Sequence, residues 1–210
     1  MIPVYCIHLP DAERKAHIEA ELARVGLTDV TYIHAREPFQ GFQCSNMRRN
    51  PRGEFGCALS HLKAISRAIQ DGCFEALFLE DDIVFTTAPI RPDFLRWRLP
   101  GDWRIAYLGG HPRGPARRVA DGLVQISTFA CTEGYLLSRR AMHEFLQFWC
   151  DRAGQPNAMI DFILGEYAAQ GGGYAFYPTL TQQRVGYSYI GQKIDNKRDL
   201  ENRAWAANLA

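Results

Sequence analysis

The run Phe74-Glu75-Ala76-Leu77-Phe78-Leu79 leads directly into Glu80-Asp81-Asp82 and then into Ile83-Val84-Phe85. The apolar stretches read as buried β-strand, so three adjacent carboxylates between them constrain the fold strongly. Desolvating an unpaired carboxylate costs several kcal/mol, and neighbouring acids repel. The triplet therefore meets either a cation or water. In one reading a divalent ion neutralises the acids and in turn holds a diphosphate. In the other the strand ends at the surface and three solvated acids open a loop. The run alone leaves both open.

Around this run the chain alternates strand-like and helix-like segments. A strand at about 2–9 precedes a helix at about 11–25, where Ile18, Leu22 and Val25 recur at helical spacing and Gly26 suits the C-terminal cap. A short strand at about 29–34 follows. Residues 36–55 are broken by Pro38, Gly41, Pro51 and Gly53 and carry Arg48, Arg49 and Arg52. A helix at about 57–70 places Ala58, Leu62, Ile65 and Ile69 on one face. Beyond the acidic run, a strand at about 103–108 enters Gly109-Gly110. Residues 123–129 and 132–137 read as a pair of strands covered by a helix at about 139–150. A helix at about 159–169 and a strand at about 173–178 come next.

This order predicts an α/β sandwich, α/β/α in layers, with a mainly parallel, Rossmann-like central sheet. Ligands in such sheets bind beyond the carboxyl ends of the strands. The acidic triplet and Gly109-Gly110 both fall at such ends. Residues 1–190 read as one domain, and 191–210 as a polar C-terminal tail or peripheral helix.

The 210 residues include 47% hydrophobic and 12% aromatic types, enough for one sizeable core. The net charge of +1 gives no strong nucleic-acid signal and no global pull toward membranes. No stretch approaches a membrane span, and the first residues lack the features of a signal peptide. A cytoplasmic protein is expected. In the tail, Lys193, Lys197, Arg198 and Arg203 interleave with Asp195, Asp199 and Glu201, which predicts at most weak peripheral association with the inner membrane face. The six cysteines form no close pairs, so buried free thiols are expected, and the spacing speaks against zinc. Phe145, Phe148 and Trp149 read as core.

Several segments carry a specific resemblance. Gly53-Glu54-Phe55-Gly56-Cys57-Ala58-Leu59-Ser60-His61, Ala64 and Leu79-Glu80-Asp81-Asp82 resemble the signature of glycosyltransferase family 25. Leu9, Asp11 and Arg14 resemble its opening strand and helix, with His8 where the family has asparagine. Thr132-Glu133-Gly134-Tyr135-Leu136-Leu137-Ser138-Arg139-Arg140-Ala141 resembles its central block. Ile160-Asp161, Tyr177-Pro178, Gln182-Gln183 and Ser188-Tyr189-Ile190 resemble its C-terminal motifs. The resemblance spans about residues 2–191.

It implies a GT-A fold, a UDP-sugar donor, Mn²⁺ or Mg²⁺, and inversion at the anomeric carbon. The acidic run is then a DXD-type motif. Asp82 is placed to ligate the metal, and Glu80, two residues away on the same strand face, to bind metal or ribose. Asp81 faces the other way if the strand continues. Inversion requires a general base: Asp161 first, Glu133 second, Glu54 third. Helix-end charge stabilisation is the alternative role for Asp161.

Leu9, Arg14, Ser60, His61, Lys63, Asp81, Gly109, Gly110 and Gln183 complete the expected donor site. Lys63 would lie near phosphate, Gly109-Gly110 would allow close approach, and Gln183 would be a late metal or phosphate ligand. The bland alternatives are a core hydrogen bond for His61, a solvated face for Arg14, and solvated loop charge for Arg48, Arg49 and Arg52. The expected reaction moves galactose or glucose to a glycan acceptor such as lipooligosaccharide. Rival readings are a non-catalytic nucleotide-sugar or glycan binder, a transferase acting on protein or a modified nucleobase, and a metal-dependent phosphohydrolase.

Overall fold

A computed structural model describes residues 1–36, 51–153, 155, 159–188, 193–195 and 198–209. Arg48, Arg49, Tyr189 and Ile190 lie outside these residues, as do the side chains of Arg52, Lys193, Asp195, Lys197, Arg198 and Asp199.

The chain forms β1 (Val4–His8), α1 (Ala12–Val25), β2 (Val30–His34), α2 (Pro51–Gln70), β3 (Glu75–Glu80), β4 (Ile83–Phe85), α3 (Pro92–Trp97), β5 (Ile105–Tyr107), β6 (His111–Pro112) and β7 (Ala116–Ala120). It continues through β8 (Leu123–Ile126), β9 (Phe129–Ala130), β10 (Gly134–Ser138), α4 (Arg139–Arg152), α5 (Ile160–Ala168) and β11 (Gly173–Phe176). It ends with β12 (Thr181–Gln183), β13 (Gly186–Ser188), β14 (Lys193–Asp195) and α6 (Arg198–Asn208).

Eight strands build the main sheet in the order β2-β1-β3-β10-β5-β11-β8-β7. Only β10 and β8 run against the other six, as their antiparallel pairings show. The sheet is thus mainly parallel, as expected. Alternate residues of β3 feed opposite layers: Ala76 and Phe78 pack with α2, α4 and α5, whereas Leu77 and Leu79 pack with α1 and α3. Burying each of the three larger side chains, Leu77, Phe78 and Leu79, stabilises the fold by about 1.5–3 kcal/mol.

Local chemistry sets the element ends. Asp11 caps α1 by accepting from the Glu13 and Arg14 N–H groups, and Gly26 closes it in the left-handed region at φ 84°. α1 then clasps β4 through two of its side chains: Glu21 Oε2 accepts from the Phe85 N–H at 3.0 Å, and Arg24 donates to the Phe85 carbonyl at 2.8 Å.

Three expectations are corrected. α2 begins at Pro51, not near residue 57; proline's fixed φ suits a first helical turn, so it opens the helix it seemed to break. Segments 123–129 and 132–137 do not pair with each other: β8 joins β7 and β11, while β10 inserts between β3 and β5. Tertiary pairing decided the partners here, and sequence adjacency did not. The first of these segments also divides into β8 and β9.

The five described cysteines form no disulfide, but only Cys6 and Cys131 are buried as expected; Cys57 and Cys73 are half-buried and Cys150 is exposed. Phe145 and Trp149 belong to the core. No helix among the described residues is long and apolar enough to cross a membrane.

Candidate active site

The strand order 2-1-3 places a topological switch between β1 and β3, because the chain leaves β1 to one side and returns to the other. Crevices in open α/β sheets lie at such switches, beyond the strand carboxyl ends. Leu9 follows β1 there, and Asp81 and Asp82 follow β3.

Asp81 is buried at 3% exposure. Its Oδ2 accepts from the Leu9 N–H at 2.7 Å, and its Oδ1 is paired with Arg14. The other arm of the same guanidinium donates to Asp82 Oδ2 at 3.0 Å. Gln183 Nε2 donates to that oxygen at 2.9 Å. β12 delivers Gln183 by pairing antiparallel with β4, Gln183 opposite Ile83. Burial pushes the Asp81 carboxyl up to about 6, against the opposing pull of Arg14 and the Leu9 N–H. A cleft of about 330 Å³ opens beside this cluster, lined by Arg14, Asp81, Asp82, Gln183, Arg184 and Tyr187 among others.

Glu80 does not share this cleft's lining. β3 ends at Glu80 and the chain turns at 81–82, so the face shared by Glu80 and Asp82 in an unbroken strand is not realised. Asp82 joins Asp81 on Arg14, while Glu80 turns toward α2. There Glu80 Oε1 accepts from the Thr132 hydroxyl at 2.5 Å and lies 3.3 Å from His61 Nε2. His61 is buried at 1% exposure, and its Nδ1 lies 2.8 Å from the Tyr135 hydroxyl.

Glu133 leaves the sheet edge immediately before β10, and its carbonyl accepts from the Glu80 N–H at 3.0 Å. Its side chain is buried. A Cβ on Gly109 would collide with Glu133 Oε1 and Thr181 Oγ1, so glycine is required for these three residues to meet. Thr181 and Gln183 stand two apart on β12 and thus on one face.

The remaining expected residues disperse. The Ser60 hydroxyl donates to the Gly56 carbonyl at 2.6 Å and accepts from the Arg36 N–H at 2.8 Å. Lys63 donates to the His34 carbonyl at 3.1 Å. Both fix the exit of β2. Gly110, at φ 98°, offers its carbonyl to Trp205 Nε1 at 2.9 Å. Asp161 accepts from the Phe162 N–H at 2.9 Å in the first turn of α5, and Glu54 is buried in α2. Burial, with a smaller contribution from the Asp161 charge, drives the Tyr107 hydroxyl well above its ordinary range.

Sequence reasoning missed Thr181 and Arg184, which flank the recognised Gln182-Gln183 pair. It also missed Thr132 and Tyr135 as Glu80 and His61 partners, although both sit inside the recognised block.

The fold recurs in solved structures. One is a glycosyltransferase involved in the glycosylation of the major capsid of PBCV-1, with TM-score 0.54, 13% identity, and coverage of 89% of this chain and 94% of that one. Another is the A197 protein from STIV, with TM-score 0.50, 12% identity, and coverage of 93% and 95%. Comparison with curated proteins finds no sequence match. In fold, and over part of its sequence, the chain resembles glycosyltransferases. The matching family model is Glycosyltransferase family 25 (LPS biosynthesis protein), over residues 1–90, the part that contains Arg14 and the whole acidic triplet.

Proposed function

We propose that this chain is a metal-dependent, inverting glycosyltransferase that moves a hexose from a UDP-sugar to a hydroxyl of a glycan acceptor such as lipooligosaccharide. The observation that carries the reading is the Arg14–Asp81–Asp82–Gln183 cluster at the β1/β3 switch beside an open cleft.

The residues suit a hard divalent cation. Asp82 presents carboxylate oxygen at the cleft, and Mg²⁺-type sites commonly combine one or two carboxylates with substrate phosphates. Asp82 would hold Mn²⁺ or Mg²⁺ with Asp81 close by; Glu80, engaged with His61 and Thr132, is the weaker ligand candidate. When bound, such an ion offsets charge on the departing diphosphate.

The chain's own groups carry the rest. Arg14 and Gln183 orient the Asp82 carboxylate, and Arg14 keeps two adjacent acids tolerable at neutral pH. Arg14 and Arg184 line the cleft as forks suited to phosphate oxygens. The Leu9 N–H fixes Asp81, which in turn fixes Arg14.

A base must take the acceptor proton as the hydroxyl attacks. Glu133 is favoured, because its carboxylate lies over Gly109 on the β12 face that also serves Asp82. Asp161 is the second candidate, with its Oδ1 already on a backbone N–H of its own helix.

Calorimetry with UDP tests the donor site, with and without Mn²⁺. Metal-dependent binding that disappears in Asp82→Ala supports the reading; equal affinity in that variant moves the site elsewhere. Turnover separates an enzyme from a sugar-binding module. Binding across common donors with no transfer or hydrolysis would favour the module. Asp161→Asn and Glu133→Gln, compared at saturating donor, decide the base.

A further inference from the structure

His111, Cys131 and Glu201 are separated in sequence by 20 and 70 residues, yet one ligand atom from each lies within 4.8 Å of the other two. The three come from different places: His111 opens β6, Cys131 precedes β10, and Glu201 sits on α6. From these positions we infer a second metal site, for a borderline-soft divalent ion of the Zn²⁺ class, that fastens the C-terminal helix to the sheet edge.

The donor set fits that ion. Imidazole nitrogen, thiolate and carboxylate are the ligand types Zn²⁺ selects, and a three-ligand site leaves a fourth position for water. The spacing fits too. Zn–S of about 2.3 Å and Zn–N of about 2.0 Å at a tetrahedral angle put sulfur and nitrogen about 3.5 Å apart. His111 Nδ1 and Cys131 Sγ stand 3.8 Å apart.

The surroundings hold the ligands in place. Cys131 adopts φ 82°, in the left-handed region that non-glycine residues rarely enter, and it is buried. His111 is fixed by its pairing with Ala130, the residue before Cys131. On α6, Glu201 and Trp205 are one turn apart and share a face. Trp205 docks through its Nε1 on the Gly110 carbonyl, which brings the buried Glu201 carboxylate to His111. Binding releases the Cys131 thiol proton to solvent, and the thiolate and Glu201 charges are offset by the ion.

A second set, Cys57, His61 and Glu80, meets the same spacing. It is the weaker candidate, because His61 is already engaged at both nitrogens by Tyr135 and Glu80. The sequence spacing of the cysteines gave no hint of either set, since both arise from tertiary contact.

The test uses full-length protein stripped with chelator and supplied with Zn²⁺ or Co²⁺ alone. One equivalent of Zn²⁺ is expected to survive desalting and to raise the Tm by several degrees. The Co²⁺ form is expected to show thiolate-to-metal charge-transfer absorption. Cys131→Ser should remove that band and the Tm shift, Cys57→Ser should keep both, and Glu201→Gln should weaken Zn²⁺ binding by at least about tenfold. The absence of a thiolate band in the unmutated protein overturns the assignment without any variant. A band that persists in Cys131→Ser and vanishes in Cys57→Ser overturns it in favour of the other set.

Discussion

The acidic triplet feeds two regions of opposite character. On the α1 side, Asp81 and Asp82 share one arginine and border an open cleft. On the α2 side, Glu80 enters a closed network with Thr132, His61 and Tyr135. Adjacent carboxylates thus meet the desolvation problem in two ways. One region sets two largely buried acids on a shared arginine beside a cleft, where a ligand can approach them. The other spends a half-buried carboxylate on tying α2 and β10 to β3. Sequence proximity to a motif therefore says little about which role a residue takes.

Perturbing the two regions separately should separate activity from stability. On the open side, Asp82→Ala is expected to lower transfer at least about 10³-fold while leaving the Tm nearly unchanged, read from turnover at saturating Mn²⁺ and from thermal melts. Equal losses in both would erase the distinction. Glu133→Gln should lower kcat about 10²–10³-fold with donor affinity retained; a smaller loss than in Asp161→Asn would return the base role to Asp161. On the closed side, His61→Ala should cost about 3 kcal/mol in denaturant melts, through the cavity and the partners left unsatisfied.

The open side should also impose a pH signature on metal-free protein. The folded Asp81 carboxyl titrates near 6 against an ordinary 3.8. Between those values the folded state holds more protons than the unfolded one, so this group's contribution to stability falls as pH rises from about 4 to about 6 and stays low above that. The span is worth about 3 kcal/mol at most. Urea midpoints across that window should fall less steeply in Asp81→Asn, and an unchanged slope would place the Asp81 pKa at its ordinary value. The smallest effect is expected for Tyr135→Phe, about 1 kcal/mol with kcat intact.

Much of the fold was legible from periodicity. The helices around Ile18–Val25 and Met142–Trp149 and the strand entering the acids all lie where the pattern put them. The candidate cluster was partly legible, because Leu9, Arg14, Asp81, Asp82 and Gln183 were all named and do converge. Their arrangement was not. It depends on a turn directly after Glu80, and nothing in an alternating strand pattern announces where alternation stops. The antiparallel insertion of β10 and the docking of α6 escaped for a related reason, since both are set by partners far away in sequence. The charged residues of α6 suggested a peripheral element, yet Trp205 is buried at 3% exposure.

The late insertion of β10 also has a consequence for synthesis. The Leu9, Arg14 and Asp81 contacts need only residues in the first part of the chain. Thr132 and Glu133, which meet Glu80, and Gln183, which meets Asp82, emerge 50 or more residues later. At about 5–20 residues per second, the nascent chain carries β3 with an unfilled edge for several seconds. During that interval the unpaired backbone of β3, which carries Leu77 and Phe78 at its centre, is open to pairing with the wrong strand.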